Sequence, residues 1–380
     1  MNTLKIYLLI SLAALLAACN NSQTSTSDTF AQETTHLQPD TLRSEPADSE
    51  PASPAPLTLA FVGDIMPGTT FPEEEPGAFL PQDDGAHLFD HVKEILRGAD
   101  FAAGNLEGTL LDEEGELKEC NDPELCYAFR IPTRYAGLLT DAGIDFVGIA
   151  NNHINDFGAP GIESTRRALK ENGLLYAGLR DGCRTAIAEK DGRKVGFAAF
   201  GHSKGRPSIM NAEEVRTTVR KLAKECDFVV VSFHGGAEGA QYTHVPHGME
   251  ICFNEKRGNV EAFAHAAIDA GADVVYGHGP HVTRAMELYK GKLVMYSLGN
   301  FCTPFRVNLQ GVNGHAPVVT VTLNPDGSFG GGRIYPFIQQ FGKGPQPDAT
   351  GAVIKQIQTL TSADFPSTPL KIASDGRLSR

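Results

Sequence analysis

The chain of 380 residues contains no tryptophan, and aromatic residues make up only 8% of it. It also lacks any Lys/Arg cluster, since 33 basic residues face 46 acidic ones for a net charge of −13. A chain this acidic is repelled by a phosphate backbone, which argues against a nucleic-acid partner. No Cys-x-x-Cys pair occurs, so neither a zinc ribbon nor a thioredoxin-type site is indicated. Solenoid-type repeats are absent as well. What the sequence has in quantity is turn residues, 40 Gly and 23 Pro, which point to many short elements rather than long bundles. With 41% hydrophobic and 21% charged residues, it reads as an ordinary globular protein, long enough for one large α/β domain or two to three smaller ones.

The N-terminus reads as an address. Lys5 precedes an uncharged apolar run, Tyr7–Ala18, too short to span a bilayer comfortably. That run ends Leu16-Ala17-Ala18-Cys19, which resembles a bacterial lipobox. Residues 1–19 are therefore expected to be a lipoprotein signal, with Cys19 lipidated and the mature chain held at a membrane by its acyl chains. Asn20 in place of Asp leans towards the outer membrane in a two-membrane cell. From 20 to 56 the chain is Ser, Thr, Pro, Gln and six acids opposed by Arg43. Such a segment cannot bury enough apolar surface to offset its ordering entropy and is expected to be a disordered tether. Six further cysteines follow Cys19. Cys120 and Cys126 flank a short acidic loop and are the expected disulfide, while Cys183, Cys226, Cys252 and Cys302 are open to pairing or to burial as thiols.

Beyond residue 56, strand-length apolar runs alternate with helical segments, which predicts an α/β fold with helix-covered sheets. The polar groups fall just past the strands. Leu57–Val62 leads into Gly63-Asp64, and Asp100–Ala103 into Asn105-Leu106-Glu107. Asp145–Ala150 delivers Asn151-Asn152-His153, Asp227–Phe233 delivers His234, and Asp273–Tyr276 delivers His278 and His281. Ligands of α/β sheets bind at the carboxyl ends of strands, so these residues are expected to converge on one crevice. Imidazoles and oxygens without thiolates suit Mn, Fe, Zn or Mg. His244 and His247, in the polar stretch Tyr242–Gly258, read instead as loop residues.

In this order, Gly63-Asp64-Ile65-Met66, Asn105-Leu106-Glu107, Ala150-Asn151-Asn152-His153, His234-Gly235-Gly236-Ala237-Glu238, Gly277-His278-Gly279-Pro280-His281 and Ser297-Leu298-Gly299-Asn300-Phe301 resemble the CapA family. These are capsule and poly-γ-glutamate biosynthesis proteins of the calcineurin-like metallophosphatase superfamily. The resemblance runs over about 57–340 and implies a four-layer α/β/β/α sandwich. It places the domain at 57–345, followed by a C-terminal extension at 346–380. It makes Asp64, Glu107, Asn152, His234, His278 and His281 metal ligands, with one acid bridging two divalent ions (Mn, Fe or Zn). His153 becomes the group that protonates the leaving oxygen, and Arg130 and Asn300 become substrate-binding residues, Asn300 alternatively holding the site from behind.

The chain departs from the pattern at three positions. Met66 replaces the His of the superfamily's Asp-x-His, Gly279 replaces a second His, and Gly235 replaces an aromatic residue. Two functions are therefore weighed. One is a lipid-anchored, metal-dependent phosphoesterase of envelope polymers. The other is a non-catalytic accessory of a capsule or polyglutamate synthesis or export complex.

Overall fold

A computed structural model describes residues 56–72, 77, 79–119 and 127–380. Cys19, the tether as far as residue 55, and the Cys120–Cys126 pairing lie outside the described residues. Two large sheets form the scaffold. In the nine-stranded sheet, Leu57–Ile65 is central, with Phe101–Leu106, Phe146–Gly148 and Leu175–Ala177 following in parallel on one side. On the other side Val318–Leu323 and Phe329–Tyr335 run antiparallel, and the short strand Asn300–Cys302 pairs with the end of Leu57–Ile65. The six-stranded sheet has Arg193–Gly201, Phe228–His234, Val274–His278 and Lys292–Met295 in parallel, flanked by antiparallel Thr185–Lys190 and Met286–Tyr289.

Both faces of the central strands are buried, which is why they read as unbroken apolar runs rather than alternating ones. Side chains of a strand nevertheless alternate in direction. Leu57, Leu59 and Phe61 enter the core between the sheets, where they meet Val195, Phe197, Val230, Val274 and Tyr276. Ring contacts Phe61–Tyr276 (4.8 Å) and Phe146–Phe197 (4.6 Å) join the two sheets. Ala60 and Val62 turn outward to a second cluster with Leu139, Ala168 and Leu169 of the helices Ala136–Ala142 and Gly158–Glu171. Ala198, Val229, Val231 and Val275 pack outward on Val215, Val219, Phe263 and Ala267 of the helices Ala212–Glu225 and Val260–Ala270. Asn211 and Asn259 cap these two helices, each accepting a backbone N–H of the first turn.

Two segments carry more structure than their composition suggests. Tyr242–Gly258 contains a hairpin, Glu250–Cys252 with Glu255–Gly258, tied down by fully buried Arg284, which binds both oxygens of Glu250 at 2.8–2.9 Å. Residues 352–364 form a helix whose Val353, Ile354 and Ile357 complete the core between the sheets, and Arg377–Ser379 adds a strand beside Phe329–Tyr335. Cys183, Cys226, Cys252 and Cys302 are free thiols.

Register sets the site. The pairings Asp64↔Asn105 and Asp64↔Asn300 end one sheet, and His278↔His234 and Gly201↔His234 end the other. Gly63 permits the pairing with Asn300, because a Cβ there would lie 1.9 Å from the Gly299 carbonyl oxygen. Gly63→Ala is therefore expected to force the Asn300 strand away and to destabilise the fold by about 1–3 kcal/mol or more. Urea unfolding tests this, and an unchanged midpoint would contradict the close approach.

Candidate metal centre

Asp64 is the hub of the cluster, and it is fully buried. Its Oδ1 accepts a hydrogen bond from Asn105 Nδ2 at 2.8 Å and lies 3.2 Å from His278 Nδ1; its Oδ2 lies 2.9 Å from His281 Nδ1. Burial alone pushes its carboxyl up, but the neighbouring imidazoles of His278 and His281 outweigh that and hold it far below the usual carboxylate range. Glu107, also buried, goes the other way. Burial and the neighbouring Asp64 charge raise it to about 8, so without a cation this carboxyl stays protonated near neutral pH. Asn105 donates to both acids and is held from behind by Asn151, whose Nδ2 donates to Asn105 Oδ1 at 3.0 Å.

His234 closes the cluster. Ligand atoms of Asp64, Glu107 and His234 all lie within 4.8 Å of one another. Burial drives the His234 imidazole well below its ordinary pKa, with the His202 ring stacked 5.7 Å away adding to the effect. It is thus neutral, the form that binds metal. Neither of its ring nitrogens has a hydrogen-bond partner, and the same holds for both nitrogens of His278, for Glu107 Oε1 and for Asn152 Oδ1. Buried polar atoms are normally satisfied. Six orphans drawn from residues at the ends of these strands are what a cation-binding cradle looks like, and their N/O donor set fits Mn, Fe or Zn.

His153 lies beside Glu107, with its Nε2 3.9 Å from Oε1. Its Nδ1 is bound to Asp156 Oδ2 at 2.8 Å, and Asp156 is itself fixed by the Phe129 N–H and by Lys118. Burial lowers the His153 pKa against the pull of Asp156. The result is an imidazole whose Nδ1 is committed and whose Nε2 faces the cluster. His281 is half-buried with φ +56°, a backbone conformation uncommon outside glycine. Asn300 Nδ2 donates to its carbonyl at 3.2 Å, so Asn300 supports His281 from behind.

The structure thus brings together Asp64, Glu107, His153, His234, His278 and His281, with Asn152 between Asn151 and His153 in the chain. Arg130 stacks its guanidinium 4.4 Å over the Phe157 ring. Met66 is wholly buried among Ile65, Leu106 and Phe301 of the outer cluster, so the replacement puts a core side chain where the pattern has an imidazole. The two glycine departures belong together. A Cβ at Gly279, whose φ is +111°, would lie 2.8–2.9 Å from the Gly235 backbone, and one at Gly235 would lie 2.4 Å from Ile209. His244 and His247 are exposed and paired with Asp364 and Glu261. The sequence motif Asn105-Leu106-Glu107 gave Asn105 no role of its own and Asp156 was not singled out; they orient the acids and His153.

Comparison with known proteins places this geometry in context. Residues 58–304, well over half of the chain, match the family described as bacterial capsule synthesis protein PGA_cap. The chain is 31% identical to the capsule biosynthesis protein CapA of Bacillus anthracis over 64% of this chain and 59% of that protein. It is 28% identical to the PGA biosynthesis protein CapA of Bacillus subtilis over 64% of this chain and 63% of that protein. It therefore spans about three fifths of the length of these relatives. Among solved structures it is similar to the calcineurin-like phosphoesterase YfkN of Bacillus subtilis, at 13% identity and a TM-score of 0.44, covering 82% of this chain and 99% of that one. The chain belongs to the PGA_cap family of bacterial capsule synthesis proteins.

Proposed function

We propose that the chain is a metal-dependent hydrolase of the phosphoesterase type, acting in capsule or poly-γ-glutamate metabolism at the cell envelope. The observation that carries this reading is the set of buried, unpartnered donors on Glu107, Asn152, His234 and His278 around Asp64. Asp64, Glu107, Asn152, His234, His278 and His281 would hold divalent ions, two of Mn, Fe or Zn. When bound, such ions supply Lewis acidity at a phosphoryl oxygen. The chain's own groups do the rest. Asn105 fixes the directions of Asp64 and Glu107, and Asp156 fixes the ring of His153. His153, its Nδ1–H donating to Asp156, takes a proton from water at Nε2 and passes it to the departing oxygen, and Arg130 contributes charge for an anionic substrate. The capsule link draws on the names of the relatives, and the anchor on the lipobox at Cys19. Both support a location on the envelope, at the outer membrane of a two-membrane cell, beside a polymer synthesis or export complex.

A second reading, an accessory subunit without turnover, has its own observation. Met66 supplies no donor, and Asp64 already has partners on both oxygens without an ion. Hydrolysis of p-nitrophenyl phosphate and bis(p-nitrophenyl) phosphate with added manganese or zinc separates the two. The hydrolase reading expects turnover that chelator abolishes and that Asp64→Asn lacks. Metal bound without turnover of either ester favours the accessory subunit.

A further inference from the structure

Next to the centre, Arg257 is buried, only 5% exposed, and its Nε has no hydrogen-bond partner. Its Nη1 donates to Glu238 Oε2 at 3.1 Å, and its Nη2 lies 3.3 Å from Glu255 Oε2. The same Glu238 oxygen lies 3.9 Å from Nε2 of His281. One carboxylate oxygen therefore spans a buried guanidinium and an imidazole of the centre. Both acids that screen Arg257 are far more exposed than it is, 26% for the Glu238 side chain and 62% for that of Glu255. Rotation of the Glu238 side chain would free Nη1 beside the unpartnered Nε while Glu255 stays on Nη2; the backbone there is pinned by Gly239 N–H to the Pro280 carbonyl. The backbone of Arg257 is equally fixed, its carbonyl accepting from Gly236 N–H two residues past His234.

A guanidinium is costly to bury, and it is the side chain best shaped to receive an oxyanion in a two-pronged contact. Arg257 keeps its Nε–H without a partner. We infer that Arg257 is an oxyanion subsite for the substrate, a phosphoryl or carboxylate group, and that Glu238 is its built-in occupant, displaced when substrate binds. The inference rests on the hydrolytic reading of the neighbouring centre and names how that centre selects an anionic substrate.

Calorimetric titration of inorganic phosphate and of glutarate into the full chain tests it, once with manganese and once with chelator. The proteins compared are wild type, Glu238→Gln, Arg257→Lys and Arg257→Gln, with metal content measured for each. Glu238→Gln is expected to bind at least one anion about tenfold more tightly, since a competing charge is gone. Arg257→Gln is expected to bind about 10–100-fold more weakly, the loss of one charge-assisted contact. Arg257→Lys, which keeps the charge and guards against misfolding as the explanation, should fall between them. Preference for phosphate or for glutarate identifies the group received. Variants that bind both anions as wild type does, or no binding of either anion by any protein, overturn the inference. The ratios read in chelator stand apart from the metal result, so a wild type without metal would count against the hydrolytic reading while leaving the subsite decided on its own data.

Discussion

His234→Ala is expected to lower affinity for manganese or zinc by more than about 100-fold, beyond the 10–100-fold typical of groups that only support a ligand. The reasoning starts from its surroundings. The ring is buried and neutral, and neither nitrogen has a hydrogen-bond partner, Nδ1 lying 3.4 Å from Glu107 Oε2. It makes no hydrogen bond in the metal-free protein that its removal could break. The cavity left behind destabilises, but deleting an unsatisfied buried polar group offsets part of that. The metal-free variant should therefore melt within a few degrees of wild type while losing the ion. Metal titration followed by elemental analysis checks the first part, and thermal unfolding in chelator checks the second. A variant that binds metal like wild type would remove His234 from the centre.

His153→Gln is expected to leave metal content unchanged and to lower phosphoester turnover by about 10²–10⁴-fold, the usual contribution of a positioned proton-transfer group. Its Nδ1 is committed to Asp156 and its ring packs 4.5 Å from Phe129, so only Nε2 is available for chemistry. A comparable loss in KM alone, with turnover intact, would make His153 a binding residue instead. If metal were lost as well, the His153 ring would have to be counted among the ligands.

The strand-end residues were legible because each lies just past an apolar run that must be buried on both faces, leaving polar side chains at the carboxyl end of the strand. Asp64, Glu107, His234 and His278 are all of this kind. Asn105 was harder to weigh, since it lies within the strand Phe101–Leu106 and gains its role only from register with Asp64. Asp156 is three residues beyond His153 and reads locally as a turn acid; the buried pairing with His153 and Lys118 is what gives it meaning. Arg257, Glu250 and Arg284 sit in or bind to a stretch whose polar composition suggests a loop, because burial by ion pairing leaves no apolar periodicity to read. Met66 shows the reverse: the missing imidazole was visible in the sequence, while its place in the outer core needed the packing.

The central claim is that these residues form a metal centre. It is tested most directly by elemental analysis of the full chain purified without chelator, beside an Asn152→Ala/His278→Ala double variant. The account expects about two equivalents of Mn, Fe or Zn in the wild type, lost in the double variant. A wild type that holds no transition metal and takes up none on titration with manganese or zinc would contradict it.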